Sequence, residues 1–125
     1  MISLPTLLGH CMAILQAFPF CQQSEVVETR AFSSDQFFFK IRAELTGGYH
    51  FQVRIYYNRG HVDYAYQLFT DIPLLRWDNK EEFPHLATYP HHHHDRYGHV
   101  NKSQLTGDPV GDLEIVLQQL ETELC

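Results

Sequence analysis

The sequence lacks most of the features of secreted, membrane-spanning or general nucleic-acid-binding proteins. Its three cysteines are an odd number without C-x-x-C spacing, which argues against a disulfide framework or a zinc-cysteine site. We therefore expect Cys11, Cys21 and Cys125 to be reduced thiols, and we predict a cytoplasmic protein. Nine Lys and Arg residues stand against fifteen acids, and a formal net charge of −6 excludes long-range attraction of nucleic acid.

The first twenty residues are apolar, but they lack the basic start and the small-residue cleavage site of a secretion signal. His10, Gln16 and two prolines interrupt them, so we predict no membrane association. Ser3 can cap a helix with Pro5 in its first turn, and apolar residues recur at helical spacing as far as Pro19. This pattern predicts a helix that packs on a sheet.

Three consecutive segments in the middle of the chain alternate between apolar and polar residues, namely 36–45, 49–58 and 61–69. Short glycine-containing turns separate them, which predicts two β-hairpins. A weaker strand is predicted at Glu25–Ser33 and a short one at Leu74–Trp77. The predicted fold class is therefore α+β, an antiparallel β-meander of four to five strands packed against an N-terminal and a C-terminal helix.

We predict a single domain over residues 1–125, because this length suffices for one hydrophobic core. Asp108 and Pro109 fit the first positions of the last helix, and apolar residues follow them at helical spacing. The predicted segments are an N-terminal helix and linker (1–24), the meander (25–78), a histidine-rich loop (79–107) and the C-terminal helix (108–125).

Strand register follows from keeping the apolar faces together, with Leu45 opposite Tyr49 in the first hairpin. Lys40 then lies opposite Arg54, an unfavourable pair of like charges unless an acid or an anion lies between them. The outward row of these strands comprises Arg42, Gln52, Arg54, Tyr56 and Asp63. It is interpreted either as a solvated sheet face or as a substrate-binding surface.

The segment Tyr89–Asp95, YPHHHHD, is the strongest candidate for chemistry. Histidines with a pKa near 6.5 suit proton transfer at neutral pH. As metal ligands, adjacent histidines of an extended chain point to opposite sides, so only His91 with His93, or His92 with His94, can share one ion. Further ligands would have to come from His85, His99 or Asp63. A solvated polar loop is the third interpretation.

A second candidate feature is the pair Arg76 and Asp78, which lies where the short fourth strand ends. Two residues apart on a strand, both side chains point to one face while Trp77 points to the other. Arg76 could clamp a phosphate or carboxylate, with Asp78 orienting the ligand or a histidine. A structural ion pair at the strand end is the alternative.

A family resemblance is carried by four segments in the order in which they occur along the chain: HVDYAYQLF (61–69), LLRWDNK (74–80), FPHLATYPHHHH (83–94) and GHVNKSQLTGDPVGDLEIVL (98–117). This succession resembles the TumE family of toxins from type II toxin–antitoxin systems, and the likeness begins near Gln36. The residues it implies as functional are Arg76, Asp78, Asn79, His91, His92 and His94, with Tyr64 and Tyr66 in the preceding strand. The resemblance also implies a small helix-turn-helix antitoxin as partner and an RNA target.

The leading hypothesis is a metal-independent endoribonuclease toxin that uses histidine acid–base catalysis and arginine phosphate clamps. The candidate catalytic residues are His91, His92, His94, Arg76, Asp78 and Asp63, and the candidate substrate-binding residues are Arg42, Arg54, Tyr56 and Asn79. No cofactor is expected under this hypothesis. The alternatives are a metal-binding enzyme or module with a divalent ion such as zinc at His91–His94, and a non-catalytic interaction domain. A homodimer is a further expectation.

Overall fold

Two helices and one seven-stranded antiparallel sheet make up the described part of the chain, which in this computed structural model comprises residues 2–124. The strands are hydrogen-bonded in the order in which they occur along the chain. In chain order the elements are α1 (Leu4–Ala17), β1 (Cys21–Ser33), β2 (Gln36–Leu45), β3 (Tyr49–Asn58), β4 (His61–Phe69), β5 (Pro73–Asp78), β6 (His92–His94), β7 (Val100–Lys102) and α2 (Pro109–Leu124).

Helix α1 begins as its sequence predicts. The hydroxyl of Ser3 accepts a hydrogen bond from the backbone N–H of Thr6 at 3.3 Å, and a proline occupies the first turn. The helix ends before Pro19, and Leu7, Cys11 and Leu15 on one of its faces are buried. Burial raises the pKa of the Cys11 thiol to about 12, and both Cys11 and Cys21 are free; Cys125 lies outside the described residues. The described part of the chain contains no helix with the length and apolar character that a membrane crossing requires.

The three central strands and their predicted register are confirmed. Leu45 lies opposite Tyr49, and Lys40 lies opposite Arg54. In the second hairpin Arg54 lies opposite Ala65. The turn between β3 and β4 contains Arg59 at φ 52° and Gly60 at φ 90°, the left-handed conformations that a tight two-residue hairpin loop requires.

The α+β class is confirmed, but the prediction of four to five strands is wrong, because the sheet has seven. The segment 79–107, predicted to be a loop, contains the three-residue strands β6 and β7. These strands are too short, and too polar, to show an alternation of apolar and polar residues. Strand β1 begins at Cys21, inside the predicted linker, and most of its side chains are exposed on both faces.

The core lies between one face of the sheet and the two helices. On β2 this face carries five consecutive inward residues, Phe37, Phe39, Ile41, Ala43 and Leu45, each no more than 1% exposed. Helix α2 is joined to the sheet by the indole N–H of Trp77, which donates to Oε1 of Gln119 at 2.8 Å. Because α1 and α2 both cover this core face, the opposite face of the sheet, here called the outer face, remains accessible.

Candidate functional site

The outer face brings Arg76 and Asp78 beside the histidine-rich segment. Antiparallel pairing of β5 with β6 places Arg76 opposite His94 and Asp78 opposite His92. Directly opposed residues of antiparallel strands project to the same face, so these four side chains form one group. The intervening pair, Trp77 and His93, points to the core face.

Asp78 is the centre of this group, with only 4% of its surface exposed. Its Oδ2 accepts a hydrogen bond from Nε of Arg76 at 2.8 Å and lies 3.7 Å from Nε2 of His94. Its Oδ1 accepts from the backbone N–H of Lys80 at 3.0 Å and lies 2.8 Å from Nε2 of His92. The carboxylate thus holds one guanidinium group by a hydrogen bond and lies close to two imidazoles.

His92 is almost fully enclosed, and its ring orientation is set by the chain. Nδ1 lies 3.1 Å from the carbonyl oxygen of Pro90, which can only accept, so Nδ1 carries a proton. Nε2 lies close to Oδ1 of Asp78, yet it has no aligned hydrogen-bond partner among residues 2–124. Nε2 is therefore a buried polar atom without a hydrogen bond to the described residues, and a bound metal ion is one partner that would satisfy it.

His94 is the accessible imidazole of the group, with a side chain that is 33% exposed. Burial lowers the pKa of His94, although the Asp78 carboxylate partly opposes that shift. The ring of Phe83 packs edge-on against His92 and His94, with centroid distances of 4.8 and 6.0 Å. Phe83 thereby shields the rings from solvent on one side.

A cleft of about 320 Å³ opens beside this group on the outer face. Arg76 and Asp78 line one side of it, and Arg54 lines the other. Ala65 pairs with Arg54 on one flank and with Asp78 on the other, so its small side chain forms the floor between them. The full lining is Phe38, Arg54, Tyr56, Asp63, Tyr64, Ala65, Arg76, Asp78, Asn79 and Lys80.

Tyr56 and Asp63 lie side by side at one end of this cleft. The hydroxyl of Tyr56 accepts a hydrogen bond from Nε2 of Gln36 at 2.6 Å, which holds the phenol in place. Asp63 is exposed and lies 3.1 Å from Nε2 of His61, rather than beside a histidine of β6. It can therefore contact a ligand in the cleft, but it does not orient His92 or His94.

Two of the predicted substrate-binding residues have other surroundings. Arg42 is on the outer face but outside the cleft, where it donates to Gln52 at 2.9 Å and lies over the ring of Phe69. Asn79 borders the cleft, but its amide bridges two backbone groups of β4, accepting from Tyr64 N–H and donating to the Val62 carbonyl. Asn79 therefore continues the pairing of β4 past the end of β5.

The other candidate histidines do not join the group. His91 lies on the core side, where its Nδ1 is 2.6 Å from the hydroxyl of Tyr64. Burial, and then the charges of Asp112 and Asp78, raise the pKa of Tyr64, so its hydroxyl stays protonated and shares a hydrogen bond with His91. His85 is exposed and packs against Phe83, and His99 is exposed beside Asp95.

Sequence reasoning missed three residues of the cleft, namely Phe38, Ala65 and Lys80. Ala65 could have been found, because the predicted register already placed it beside Arg54 as the smallest side chain of the outward row. Phe38 also stood out as the aromatic residue on the polar side of β2. Lys80 lies beyond the end of β5, where no periodic pattern indicates the face to which a side chain points.

The arrangement has the components of an anion-processing site. Two guanidinium groups can bind a phosphate, and a half-exposed imidazole with a lowered pKa can exchange a proton near neutral pH. The ligand atoms of Asp78, His92 and His94 also lie within 4.8 Å of one another, close enough to hold one metal ion.

Comparison with known proteins gives one match. No curated protein and no solved structure matches the chain. The family model described as Toxin TumE matches residues 12–124, which extends the likeness well upstream of Gln36. The chain therefore belongs to the TumE family of toxins.

Proposed function

We propose that this toxin is an endoribonuclease that cleaves RNA without a metal ion, at the cleft between Arg54 and Asp78. The observation that carries the proposal is that Arg54 and Arg76 line one cleft together with the buried carboxylate of Asp78. The same carboxylate lies 3.7 Å from Nε2 of His94, an imidazole that is one-third exposed beside the cleft lining. A ribose phosphodiester needs these groups: cations for its charge and a base for its 2′-hydroxyl.

Arg54 and Arg76 hold the scissile phosphate in this mechanism. The bond from Nε of Arg76 to Asp78 fixes the guanidinium plane, and the terminal amino groups would then bind the phosphate. Arg54 is held over the ring of Phe38, with its Cζ 5.6 Å from the ring centroid. Both cations are thus preorganised before the substrate arrives.

His94 takes the proton from the 2′-hydroxyl, whose oxygen attacks phosphorus and displaces the 5′ oxygen. Its lowered pKa keeps the imidazole neutral at pH 7, as a general base requires. Lys80, whose side chain is 73% exposed on the cleft wall, gives a proton to the leaving oxygen. Asp78 positions His94, and His92 supports Asp78 from its buried side.

A toxin family implies an antitoxin partner. We propose a small helix-turn-helix protein encoded by the neighbouring gene, as the resemblance indicates. Its binding would block the outer face of the toxin or hold the hairpin of β6 and β7 away from Asp78.

The test is induced expression with and without the neighbouring gene, followed by assays of purified, untagged protein on RNA. We expect His94→Gln and Arg54→Gln each to lower the cleavage rate by about 10²-fold or more, with growth restored in cells. Cleavage by the wild type should decline as the pH falls through the lowered pKa of His94, because the protonated ring cannot act as base.

Arg42→Gln is the matched control, since it removes the same charge from the same face but outside the cleft. It should cleave at the wild-type rate. Intact RNA after incubation with partner-free wild-type protein at neutral pH would overturn the nuclease proposal, even if the protein still arrests growth.

A metal-dependent nuclease is the second candidate, and the unaligned, buried Nε2 of His92 favours it. Asp78, His92 and His94 would bind the ion, and the Pro90 carbonyl would orient His92 through Nδ1, as is usual for metal-bound histidine. Elemental analysis of untagged protein separates the candidates. Stoichiometric zinc, manganese or nickel that is lost in His92→Ala but kept in His99→Ala would replace the metal-independent mechanism.

A further inference from the structure

A second groove, of about 280 Å³, adjoins the cleft on the outer face and runs toward β1. The two grooves share Phe38, Arg54 and Tyr56, so they form one continuous depression. From β5 to β1 there are four strand spacings of about 4.8 Å, which gives the depression a length of roughly 19 Å. The depression is therefore longer than a site for a single phosphate group requires.

Aromatic and cationic side chains lie in two adjacent rows across the strands of this depression, because Phe38 is opposite Tyr56 and Lys40 is opposite Arg54. Its aromatic–cationic track, named for these side chains, comprises Phe32, Phe38, Tyr56, Arg30, Lys40 and Arg54. Phe32 is 58% exposed although it is a large apolar side chain, and its ring centroid lies 6.5 Å from that of Tyr56. Exposed rings beside cations on a sheet are the arrangement with which proteins stack unpaired bases and neutralise the intervening phosphates.

The track contains an electrostatic conflict that an anion would relieve. Lys40 and Arg54 are directly opposed on β2 and β3, where Cβ atoms lie about 4.5–5.5 Å apart. Glu28 is opposite Lys40 on its other side, but its Oε2 bonds to Nε of Arg30 at 2.9 Å. A phosphate between Lys40 and Arg54 would replace this repulsion by attraction.

We propose that the aromatic–cationic track binds single-stranded RNA and leads it into the cleft. This inference rests on the proposed function, because it names the kind of RNA that reaches the cleavage site. Bases stack on the rings of Phe32 and Tyr56, and the phosphates pass Lys40 and Arg54. A double helix does not fit this role, since its bases are already stacked on one another and offer no free faces.

The test measures binding of 2′-O-methyl oligoribonucleotides, which have no free 2′-hydroxyl and cannot be cleaved by the proposed route. Fluorescence anisotropy on the full chain should show tighter binding as the oligonucleotide lengthens toward about 4–16 nucleotides, the range that single-strand sites cover. Phe32→Ala and Tyr56→Ala should each weaken binding about 5- to 150-fold, the effect of losing one stacked base. A duplex of equal length should compete poorly.

Charge variants give a second readout. Lys40→Gln and Arg30→Gln should each reduce the slope of log affinity against log salt by about 0.7, the value per phosphate of a single strand. Arg42→Gln is the cationic control, and Tyr97→Ala, at an 83% exposed ring away from the track, is the aromatic control. Both controls should bind as the wild type does.

Phe32 is exposed, so its variant tests the track even if Tyr56→Ala fails to fold. Wild-type affinity in Phe32→Ala and Lys40→Gln, or equal competition by duplex RNA, would overturn the proposal. The proposal would also be overturned if these variants kept wild-type RNA affinity but were no longer neutralised by the antitoxin. That result would identify the track as a binding surface for the partner protein. Binding without cleavage of native RNA would refute the nuclease and leave the track standing.

Discussion

At the scale of single residues, the neighbouring histidines of β6 lie on opposite faces of the sheet and have different surroundings. His93 stacks on Trp77 with ring centroids 4.6 Å apart, and burial lowers the pKa of its imidazole. Its Nε2 is buried and has no hydrogen-bond partner within the described chain. His93 therefore packs as an aromatic ring, although one of its nitrogen atoms is buried without a hydrogen bond to this part of the chain. His92 and His94, in contrast, lie beside the carboxylate of Asp78.

We expect His93→Phe to raise the free energy of unfolding near neutral pH by roughly 1 kcal/mol, because the phenyl ring keeps the stack without burying an unpaired nitrogen. The variant should also be less sensitive to acid. A lowered pKa means that below about pH 6.5 the unfolded chain binds a proton that the folded chain does not, so wild-type stability falls as the pH falls. Urea unfolding near pH 7.5 and near pH 5.5 measures both effects.

His85→Phe is the control for the exchange of an imidazole for a phenyl ring, since His85 is exposed and does not stack on Trp77. Some acid sensitivity will persist in His93→Phe, because burial also lowers the pKa of His91 and His94. A His93→Phe variant that loses as much stability on acidification as the wild type would contradict the assignment.

At the scale of secondary-structure elements, the start of α2 is held in place by a buried carboxylate, that of Asp112. Asp112 is 1% exposed, and its carboxylate accepts hydrogen bonds from the backbone N–H groups of Thr106 and Gly107 and from the hydroxyl of Thr106. A carboxylate in the first turn also interacts favourably with the positive end of the helix. Asp112 thus joins the helix to the chain that arrives from β7.

Replacement of Asp112 by Ala should lower the free energy of unfolding by about 2–3 kcal/mol, because the backbone N–H groups of Thr106 and Gly107 lose a charged acceptor. Asp112→Asn keeps one acceptor oxygen and should lose about half as much. Thermal and urea unfolding compare the two variants. If Asn and Ala are equally destabilising, the hydrogen bonds are not the source of the effect.

The elements differ in how well their sequences predict them, for physical reasons. Strands β2 to β4 alternate over nine or ten residues, and only one register keeps their apolar faces together, so the opposition of Lys40 and Arg54 was predictable. Strand β6 consists of three histidines, which present no contrast between faces. Its pairing depends on tertiary contacts with Asp78 and Trp77 that no local pattern contains.

The candidate site, like the sheet, could be predicted only in part from the sequence. Alternation on β5 placed Arg76 and Asp78 on one face, and alternation within the histidine run allowed His92 to pair with His94. Which pair would meet Asp78 depended on the register of β5 with β6, which the sequence did not specify. The displacement of Arg42 from the cleft follows from its position four residues along β2 from Phe38, which lines the cleft.

At the scale of the whole molecule, β1 forms one edge of the sheet and exposes Val26 and Val27, at 41% and 45%. An edge strand presents backbone N–H and C=O groups that a second strand can pair with. Antiparallel pairing of two copies centred on Thr29 would place Glu28 of each copy opposite Arg30 of the other. Opposite charges across a strand pair are stabilising, so we predict that a second copy of this chain pairs with the edge.

We expect the wild-type chain to self-associate through β1 with increasing concentration, and Val27→Lys to prevent this by placing a charge at the edge. Light scattering over a concentration series measures the mass against the 14.6 kDa of one chain. Tyr97→Lys, at another exposed position, controls for the added charge. A wild type that stays at the mass of one chain at every concentration would exclude this dimer.

The four successive histidines make β6 tolerant of a shift in its alignment. If the strand slid by one position against β5, His91 and His93 would replace His92 and His94 beside Arg76 and Asp78, while another histidine would cover Trp77. In most strands such a slip exchanges core and surface residues. For a slip in this direction an imidazole arrives at every place, so the chemical groups around the carboxylate stay the same. A slip in the other direction would instead bring Asp95 opposite Arg76, so the tract tolerates a change of alignment in one direction only.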